Sequence, residues 1–372
     1  MGDGRTLQLR NLREAALQAP LRLLPNRIQR FYRGGYLLDT FLGVPEPTDD
    51  NWSEEWLGNG TSPGIAATGG DGLARAVLLD GSAVKITELA EVEPERLYGE
   101  SHVAKYGTSP GILLKYLDVG SHIPVHVHPT RPFAKQHLGS DFGKNESWLV
   151  LGARAIDGGP AKVWVGWRES VDRERLWRWI EAQDVPAMRA AMHEIEVKID
   201  DVLFIPAGTA HSLGRGVFAM EPQEPTDFAV FAEHVTYELD EATATNGLGW
   251  ERALGMFDYS TVSDAELEER IRCRPHEERV ESGGSDRRLV SEEALEFFQL
   301  NELTITGTFP VSPDGGYAID CIRDGCGVFR GPWGEQYVRR GETYVVPASL
   351  GEYEIVSTGS DALRILRARP PQ

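Results

Sequence analysis

Short apolar runs of the β-forming type, separated by Gly, Pro and Asp, dominate the chain from about residue 36 to its end. Gly111–Val119 and Val202–Pro206 are examples, and turn-forming residues lie close to most such runs. A βαβ protein would instead place a regular helical segment between successive strands. The pattern therefore predicts a mainly β fold, built as a sandwich or a barrel.

Helical patterns interrupt this β pattern at only a few places. Residues 170–193 contain helix formers with an apolar series and a break at Pro186, which predicts one or two inserted helices. Residues 264–272 and 291–300 predict two shorter helices, and the spacing of Leu9, Leu12 and Leu17 predicts another near the beginning of the chain.

These patterns divide the 372 residues into three parts. We expect an N-terminal β domain over residues 1–255, with the helical insert near 170–193. Residues 256–295 form a helical and linker segment, in which the polar stretch 276–288 is a linker or an exposed loop. A second, smaller β domain follows over residues 296–372.

Composition excludes several classes of function. The chain carries 38 basic and 57 acidic residues, a formal net charge of −19, which argues against binding of a nucleic-acid backbone. No secretory signal and no apolar stretch of 18 residues is visible, so we expect no membrane partner. The three cysteines include no C-x-x-C pair, which favours a reducing, cytoplasmic location.

Three histidines and one glutamate form the chemically informative set. His126 and His128 are two residues apart in a strand pattern, so their side chains point to the same face. His211 follows a strand and a Pro-Ala-Gly turn, and Glu146 begins a further apolar run. Three imidazoles and one carboxylate suit a divalent transition metal better than calcium or magnesium.

The two histidine segments carry a family resemblance. Gly120 to His128 fits G-x5-H-x-H and Pro206 to His211 fits P-x-G-x2-H, which resemble the two halves of the cupin metal motif. The G-K-x-E element that ends at Glu146 and the His128-Pro129 pair resemble type I mannose-6-phosphate isomerases. The resemblance implies two cupin (jelly-roll) domains and one divalent metal, with zinc favoured and iron, manganese, cobalt or nickel as alternatives. The ligands would be His126, His128, Glu146 and His211.

The resemblance also implies roles for other residues. Glu221 lies in the family's small-apolar-Glu segment and is the candidate proton shuttle, while Lys144 is the candidate charge-stabilising donor. Asp227 matches the family's Ser-Asp element. Candidate substrate-binding residues are Arg131, Lys135, Asp227 and Arg215.

We therefore expect a metal-dependent aldose–ketose isomerase that acts on a sugar or a sugar phosphate. One alternative is a carbohydrate-binding or sensing cupin without catalysis, and another is a metal-dependent oxygenase. Turnover of an aldose would distinguish the isomerase from the non-catalytic cupin, and oxygen uptake would identify the oxygenase. The identity of the sugar and the oligomeric state stay open.

The C-terminal part has a strand and turn pattern like a cupin half but lacks its ligands. Glu352 stands at the place of the metal histidine, and no histidine follows His276. We expect a structural domain there, without metal, that packs on the first.

Two positions depart from the family pattern. His126 stands where the family usually has Gln, and Phe231 stands where the family carries a catalytic arginine, four residues after Asp227. Phenylalanine can neither donate a hydrogen bond nor stabilise a developing oxyanion.

We predict weak turnover of mannose 6-phosphate because of Phe231. Loss of one charged donor near a developing oxyanion typically lowers the rate by about 10²–10³. The measurement is kcat of the purified chain on mannose 6-phosphate, beside that of a relative with the arginine. Equal rates would show that another group, such as Lys144 or Arg215, replaces the guanidinium.

Overall fold

A computed structural model describes residues 17–78, 81–312 and 314–371. The part of the predicted N-terminal helix before residue 17 lies outside these residues. The predicted mainly β architecture is confirmed, with two sandwiches that each consist of two facing sheets. Among the described residues, no helix is both long and apolar enough to cross a membrane.

The first sandwich contains a seven-stranded and a five-stranded sheet. The larger sheet has the order β12-β9-β14-β7-β3-β2-β4 and the smaller one β11-β10-β13-β8-β15. The strands of the larger sheet are β2 (Arg27–Arg30), β3 (Glu54–Leu57), β4 (Ala67–Gly69), β7 (Leu113–Asp118), β9 (Glu146–Ala153), β12 (Val202–Ile205) and β14 (Val217–Gln223). Those of the smaller sheet are β8 (Ile123–Val127), β10 (Lys162–Trp167), β11 (Met192–Glu196), β13 (His211–Leu213) and β15 (Val230–Phe231). A separate hairpin consists of β5 (Arg75–Val77) and β6 (Ala83–Lys85).

The second sandwich contains a seven-stranded and a four-stranded sheet. Their orders are β1-β23-β20-β25-β18-β17-β16 and β19-β24-β21-β22. The larger sheet consists of β1 (Leu21–Arg22), β16 (His276–Glu281), β17 (Gly284–Arg288), β18 (Gln299–Ile305), β20 (Ala318–Asp324), β23 (Thr343–Val346) and β25 (Leu363–Arg369). The smaller sheet consists of β19 (Thr308–Val311), β21 (Cys326–Gly331), β22 (Gly334–Arg339) and β24 (Tyr353–Ser357).

Short helices connect the strands. They are α1 (Tyr36–Leu42), α2 (Ile86–Val92), α3 (Pro94–Tyr98), α4 (Glu100–Tyr106), α5 (Arg131–His137), α6 (Arg173–Ala182), α7 (Val185–Ala190), α8 (Glu241–Ala244), α9 (Trp250–Ala253) and α10 (Asp264–Glu266). A π-helical turn, Leu267–Ile271, continues α10, and single 3₁₀ turns lie at Val235–Tyr237, Leu254–Met256, Glu293–Glu296 and Ala348–Leu350. In the 170–193 insert, α6 and α7 are separated near Pro186, which lies in the first turn of α7 and lacks the N–H that a helix interior needs.

Two sequence-based expectations are wrong between residues 276 and 300. The polar stretch 276–288 is a β-hairpin, β16 and β17, and β17 continues the sheet by pairing with β18. The predicted helix 291–300 is one 3₁₀ turn, and strand β18 begins at Gln299. Pairing with a neighbouring strand satisfies the backbone polar groups of this segment, so its polar composition does not prevent a strand.

A single apolar core extends across both sandwiches. It includes Leu57 and Phe204 from the first sandwich and Phe298, Ile319 and Leu366 from the second. Strand β1, the first within the described residues, pairs with β23 of the second sandwich. The described chain therefore begins in the second sandwich, passes through the first and returns to the second.

Asp118, at the end of β7, fixes helix α1 against the larger sheet. Its buried carboxylate accepts hydrogen bonds from the backbone N–H groups of Gly35, Leu37 and Leu38, at 3.1, 2.6 and 3.1 Å. The helix approaches so closely that a Cβ on Gly34 would lie 1.7 Å from the Asp118 carbonyl oxygen. A carboxylate from a strand thus caps a helix 80 residues earlier in the chain.

We predict that Asp118→Ala lowers the free energy of unfolding by about 2–3 kcal/mol, because it leaves buried N–H donors without an acceptor. Urea denaturation measures the effect. The control is Asp240→Ala, which removes an exposed cap of α8 that binds Thr243 N–H at 2.8 Å, and should cost about 1 kcal/mol or less. Equal losses in the two variants would contradict the special role of Asp118.

Candidate functional site

The smaller sheet of the first sandwich brings three imidazoles together. His126 lies on β8, His128 directly follows it, and His211 begins β13, where it pairs in register with His126. The ring centroids of His126 and His211 are 3.9 Å apart, and each lies within 4.9 Å of the His128 ring. The three possible ligand atoms lie within 4.8 Å of one another.

Backbone carbonyls fix the orientation of all three rings. The Nδ1 atoms of His126, His128 and His211 donate to the carbonyl oxygens of Pro124, Phe228 and Thr209, at 2.7, 2.7 and 2.8 Å. Because a carbonyl only accepts, Nδ1 carries the proton and Nε2 keeps a lone pair in each neutral ring. Burial lowers the pKa of His211 to about 3 and that of His126 well below its ordinary value. All three rings are therefore neutral at pH 7, the form that binds a metal.

A tight turn places His211. Gly208 has a φ of +90°, which favours glycine, and its N–H donates to the His128 carbonyl at 2.9 Å. Asn145 accepts from Ala207 N–H at 2.8 Å, and its own N–H and side-chain amide donate to Glu224. Asn145 thus joins the histidine turn to the loop that carries Lys144 and Glu146.

Glu146 approaches the histidines from the larger sheet. Its carboxylate oxygens lie 3.1 Å from His128 Nε2 and 3.4 Å from His211 Nε2, and Trp148 Nε1 donates to it at 3.1 Å. Lys144 Nζ lies between these groups, 2.5 Å from the carboxylate and 2.7 Å from His128 Nε2. Although burial opposes ionisation, the Lys144 ammonium holds the pKa of Glu146 well below its usual range.

These four residues fit a divalent transition metal. His211 Nε2 is buried and makes no hydrogen bond within the described part of the chain, and a buried polar atom without a partner is costly. Backbone carbonyls already hold the opposite ring nitrogens, as is usual for metal-bound histidines. The donor set of three Nε2 lone pairs and one ionised carboxylate matches what zinc and similar ions prefer.

Glu221 lies beside this set on β14, where it pairs in register with Lys115 of β7. Its Oε1 atom is 3.0 Å from Lys115 Nζ and 3.6 Å from Lys144 Nζ. Burial and the neighbouring Glu146 raise the pKa of Glu221 to about 7, despite the two lysines. A carboxyl group with this pKa can both accept and return a proton near neutral pH.

A second layer of buried charge surrounds Glu221, and of its residues only Asp227 was singled out from the sequence. Arg30 on β2 pairs with Asp227 at 2.9 Å and with Glu54 at 3.3 Å, and Lys115 lies 3.8 Å from Glu54. Although burial opposes ionisation, Arg30 holds the pKa of Asp227 at about 2. One signal could have revealed Lys115, because it is the only charged residue inside the apolar run 111–117.

The buried charges nearly balance without a metal. Four carboxylates (Glu54, Glu146, Glu221 and Asp227) face three cations (Arg30, Lys115 and Lys144), and all seven side chains are at most 7% exposed. A divalent ion would change a net charge of about −1 into about +1, which favours an anionic ligand.

Phe231 covers one side of the histidines. Its ring stacks on His126 with centroids 5.6 Å apart and an angle of 28°, and Phe31 packs on its edge at 5.3 Å. The cavity lined by these two phenylalanines, by His126 and His128 and by Lys144, Glu146 and Glu221 has a volume of about 30 Å³. That space suits a single ion or water, so a sugar needs side-chain movement to reach the histidines.

Three predicted substrate-binding residues lie away from this cavity. Arg131 pairs with Glu224 and with Glu296 of the second sandwich, Lys135 pairs with exposed Asp141 on the surface beside α5, and Arg215 pairs with exposed Asp157. Asp227 does line the cavity, but both its oxygens face Arg30. The geometry thus gives Arg131, Lys135 and Arg215 no role at the histidines.

Comparison with known proteins agrees with the sequence motifs. A Bacillus subtilis protein named probable mannose-6-phosphate isomerase is 24% identical over 345 residues, which cover 91% of this chain and 96% of that protein. The mannose-6-phosphate isomerase of Streptococcus mutans is 32% identical over 177 residues, or 46% of this chain and 51% of that one. No family model matches the sequence.

Solved structures show the same fold. The mannose 6-phosphate isomerase of Bacillus subtilis superposes with a TM-score of 0.72 at 19% identity, over 95% of this chain and all of that one. A phosphomannose isomerase mutant from Salmonella typhimurium superposes with a TM-score of 0.70 at 14% identity, over 95% of this chain and all of that one. The resemblance inferred from the histidine motifs is thereby confirmed.

We predict that the chain binds about one transition-metal ion and that His128→Ala lowers the affinity by about 100-fold or more, since it removes one of four donors. Elemental analysis after dialysis against zinc measures the occupancy. His137→Ala, an exposed histidine at the end of α5, should keep full occupancy. Two ions per wild-type chain, or an occupied His128→Ala variant, would contradict the assignment.

Proposed function

We infer that this chain, a divergent relative of the mannose-6-phosphate isomerases, is a metal-dependent aldose–ketose isomerase that acts on a phosphorylated sugar. One observation carries the proposal: three fixed imidazoles and Glu146 form a metal-ligand set directly beside the buried carboxyl group of Glu221. Such a reaction needs a polarised carbonyl and a group that moves one proton between C1 and C2.

His126, His128, Glu146 and His211 would hold the metal, for which the donor set favours zinc. When bound, the ion acts as a Lewis acid that polarises the substrate's carbonyl oxygen. The backbone carbonyls behind the imidazoles keep the ligands in place, so little reorganisation is needed on binding.

Glu221 would take the proton from the carbon next to the carbonyl and return it to the neighbouring carbon. Its pKa near 7 makes both steps accessible at neutral pH. Lys115 holds the carboxylate from β7, and the strand register between the two residues keeps this pair beside the metal ligands.

Lys144 would stabilise negative charge on the substrate. In the structure, its ammonium contacts His128 Nε2 and Glu146, the groups that would bind the ion. A metal would engage those groups instead, and the ammonium would then be free to donate to a substrate oxygen. Arg30 does not replace the missing family arginine, because Asp227 and Glu54 already balance its charge.

A phosphorylated substrate agrees with the charge at the site. The loaded cluster would carry a net charge of about +1, while the chain as a whole carries −19, so only this local charge attracts an anion. The same positive charge would stabilise the enediolate that forms on the substrate.

The Phe231 contact favours a second candidate function, a sugar-sensing protein that binds without turnover. Phe231 covers His126 and leaves only about 30 Å³ of space. The buried Glu221–Lys115 pair argues for catalysis, since a binding site has no need of a proton carrier poised near pH 7. Turnover of any aldose phosphate would decide between the two.

We predict that Glu221→Gln lowers kcat by about 10²–10⁴ and leaves metal content unchanged, because the amide keeps size and hydrogen bonding but cannot accept a proton. The measurement is deuterium incorporation from solvent at C2 of the aldose phosphate that a substrate panel identifies.

Glu55→Gln is the matched control. Glu55 is equally buried on β3, but it binds Asn26 N–H and Arg27 outside the cavity. Full deuterium incorporation in a metal-loaded Glu221→Gln variant would remove Glu221 from the mechanism. Loss of metal in that variant would instead make Glu221 a structural residue.

A further inference from the structure

The second sandwich contains a larger cavity that shares no residue with the histidine site. Its volume is about 440 Å³, and it is lined by the adjacent strands β16, β17, β18 and β25 of the larger sheet and by β19 of the smaller one. Cavities of about 300–1,000 Å³ are typical of small-molecule sites. The wall is unusually polar for the interior of a sandwich, and its innermost side chains, Asn301 and Arg367, are 4% and 3% exposed.

Arg369 faces this cavity without a partner. Its guanidinium makes no hydrogen bond or ion pair with any other side chain in the described ranges, although it is mostly buried. Burial and the nearby Arg367 guanidinium lower the pKa of Arg369 from its ordinary value. A desolvated cation without a direct ion pair is costly to maintain, and a bound anion would lower this cost.

The neighbouring cations cannot serve in its place. Arg367 makes a two-point ion pair with Asp320, at 2.7 and 2.6 Å, and also donates to the Tyr353 hydroxyl. Arg288 pairs with Glu292 at 2.6 Å. Arg279 pairs with Glu281 at 3.3 Å. Arg369 is thus the cavity cation that makes no direct ion pair within the described residues, and Asp320 and Asp286 act on it only without contact.

Strands β16, β17 and β18 of the same sheet offer hydrogen-bond acceptors. The Asn301 side-chain amide donates to Glu278 Oε2 at 2.8 Å and to Asp286 Oδ1 at 2.7 Å. This contact fixes both carboxylates at the cavity wall, where their remaining lone pairs can accept from hydroxyl groups. The cavity therefore has a cationic end and an acceptor-rich wall.

We propose that this cavity binds a small polyhydroxylated anion of monosaccharide size, with its phosphate or carboxylate on Arg369 and its hydroxyl groups on Glu278 and Asp286. A guanidinium binds either anionic group through two parallel hydrogen bonds. The carboxylate wall would reject an inorganic polyanion, which carries charge but no hydroxyl donors. The site is independent of the metal centre and of the isomerase reaction.

Calorimetric titration of the full-length, metal-loaded chain tests this proposal with four probes: mannitol 1-phosphate, gluconate, mannitol and inorganic pyrophosphate. None of them carries a carbonyl group, so none can be isomerised. We expect mannitol 1-phosphate or gluconate to bind at Arg369, and the stronger of the two identifies the anionic group. Mannitol and pyrophosphate should bind there at least tenfold more weakly.

Variants assign the binding to this cavity. Arg369→Gln should weaken the affinity at least tenfold, whereas Arg369→Lys keeps the charge and should lose less. Arg339→Gln, an arginine with an 80% exposed side chain on β22, is the matched control and should bind like the wild type. Isomerase turnover should be unchanged in all three variants. His128→Ala removes the metal centre and should leave this binding intact.

Several outcomes would overturn the proposal. Anion binding that His128→Ala abolishes would belong to the metal centre, and unchanged binding in Arg369→Gln would exclude the guanidinium. Equal affinity for mannitol and the anions would exclude charge recognition. If the His128→Ala variant gives no heat of binding with millimolar mannitol 1-phosphate or gluconate, a second site is excluded. That result would leave the proposed isomerase reaction untouched, because turnover is measured separately.

Discussion

The burial of charge between the two sheets of the first sandwich is the constraint on which the candidate site depends. A carboxylate or an ammonium group taken out of water is stable only if opposite charges and hydrogen bonds replace its hydration. Here Glu221 lies against Lys115 across one strand pair, and Lys144 lies between Glu221 and Glu146. Loss of Lys144 would leave the buried Glu146 carboxylate without a cationic partner, and a shift of the strands in register would separate Glu221 from Lys115.

Each sheet contributes a different kind of group to this arrangement. The smaller sheet supplies the neutral imidazoles, and the larger sheet supplies the ionised side chains. The proposed metal ligands and the proposed proton carrier, Glu221, can therefore lie side by side between the two sheets while each is fixed by its own strand. Loops join the two sheets at Asn145, which bonds to Ala207 and Glu224.

The second sandwich supports the first and has chemistry of its own. The halves approach so closely that a Cβ on Gly58, where φ is +62°, would lie 2.7 Å from the Ile319 side chain. Arg131, at the start of α5 near the histidines, reaches Glu296 of the second sandwich. Within the described residues, the second sandwich has no group of three or more His, Cys, Asp or Glu side chains placed to hold a metal ion. Its polar cavity at Arg369 is the basis for the proposal that this half binds a ligand of its own.

The sequence by itself determined whatever depends on neighbours along the chain. The alternation of short apolar runs and turn residues predicted the mainly β fold, and His126 and His128 share a face because side chains two residues apart in a strand always do. The Pro-Ala-Gly turn before His211 is equally local. Tertiary structure decided the rest, because contacts between distant residues depend on which strands pair and in which register. Lys115 meets Glu221 only through the β7–β14 pairing, Arg131 faces Glu224 rather than the histidines, and the polar segment 276–288 becomes a hairpin only because β18 lies beside it.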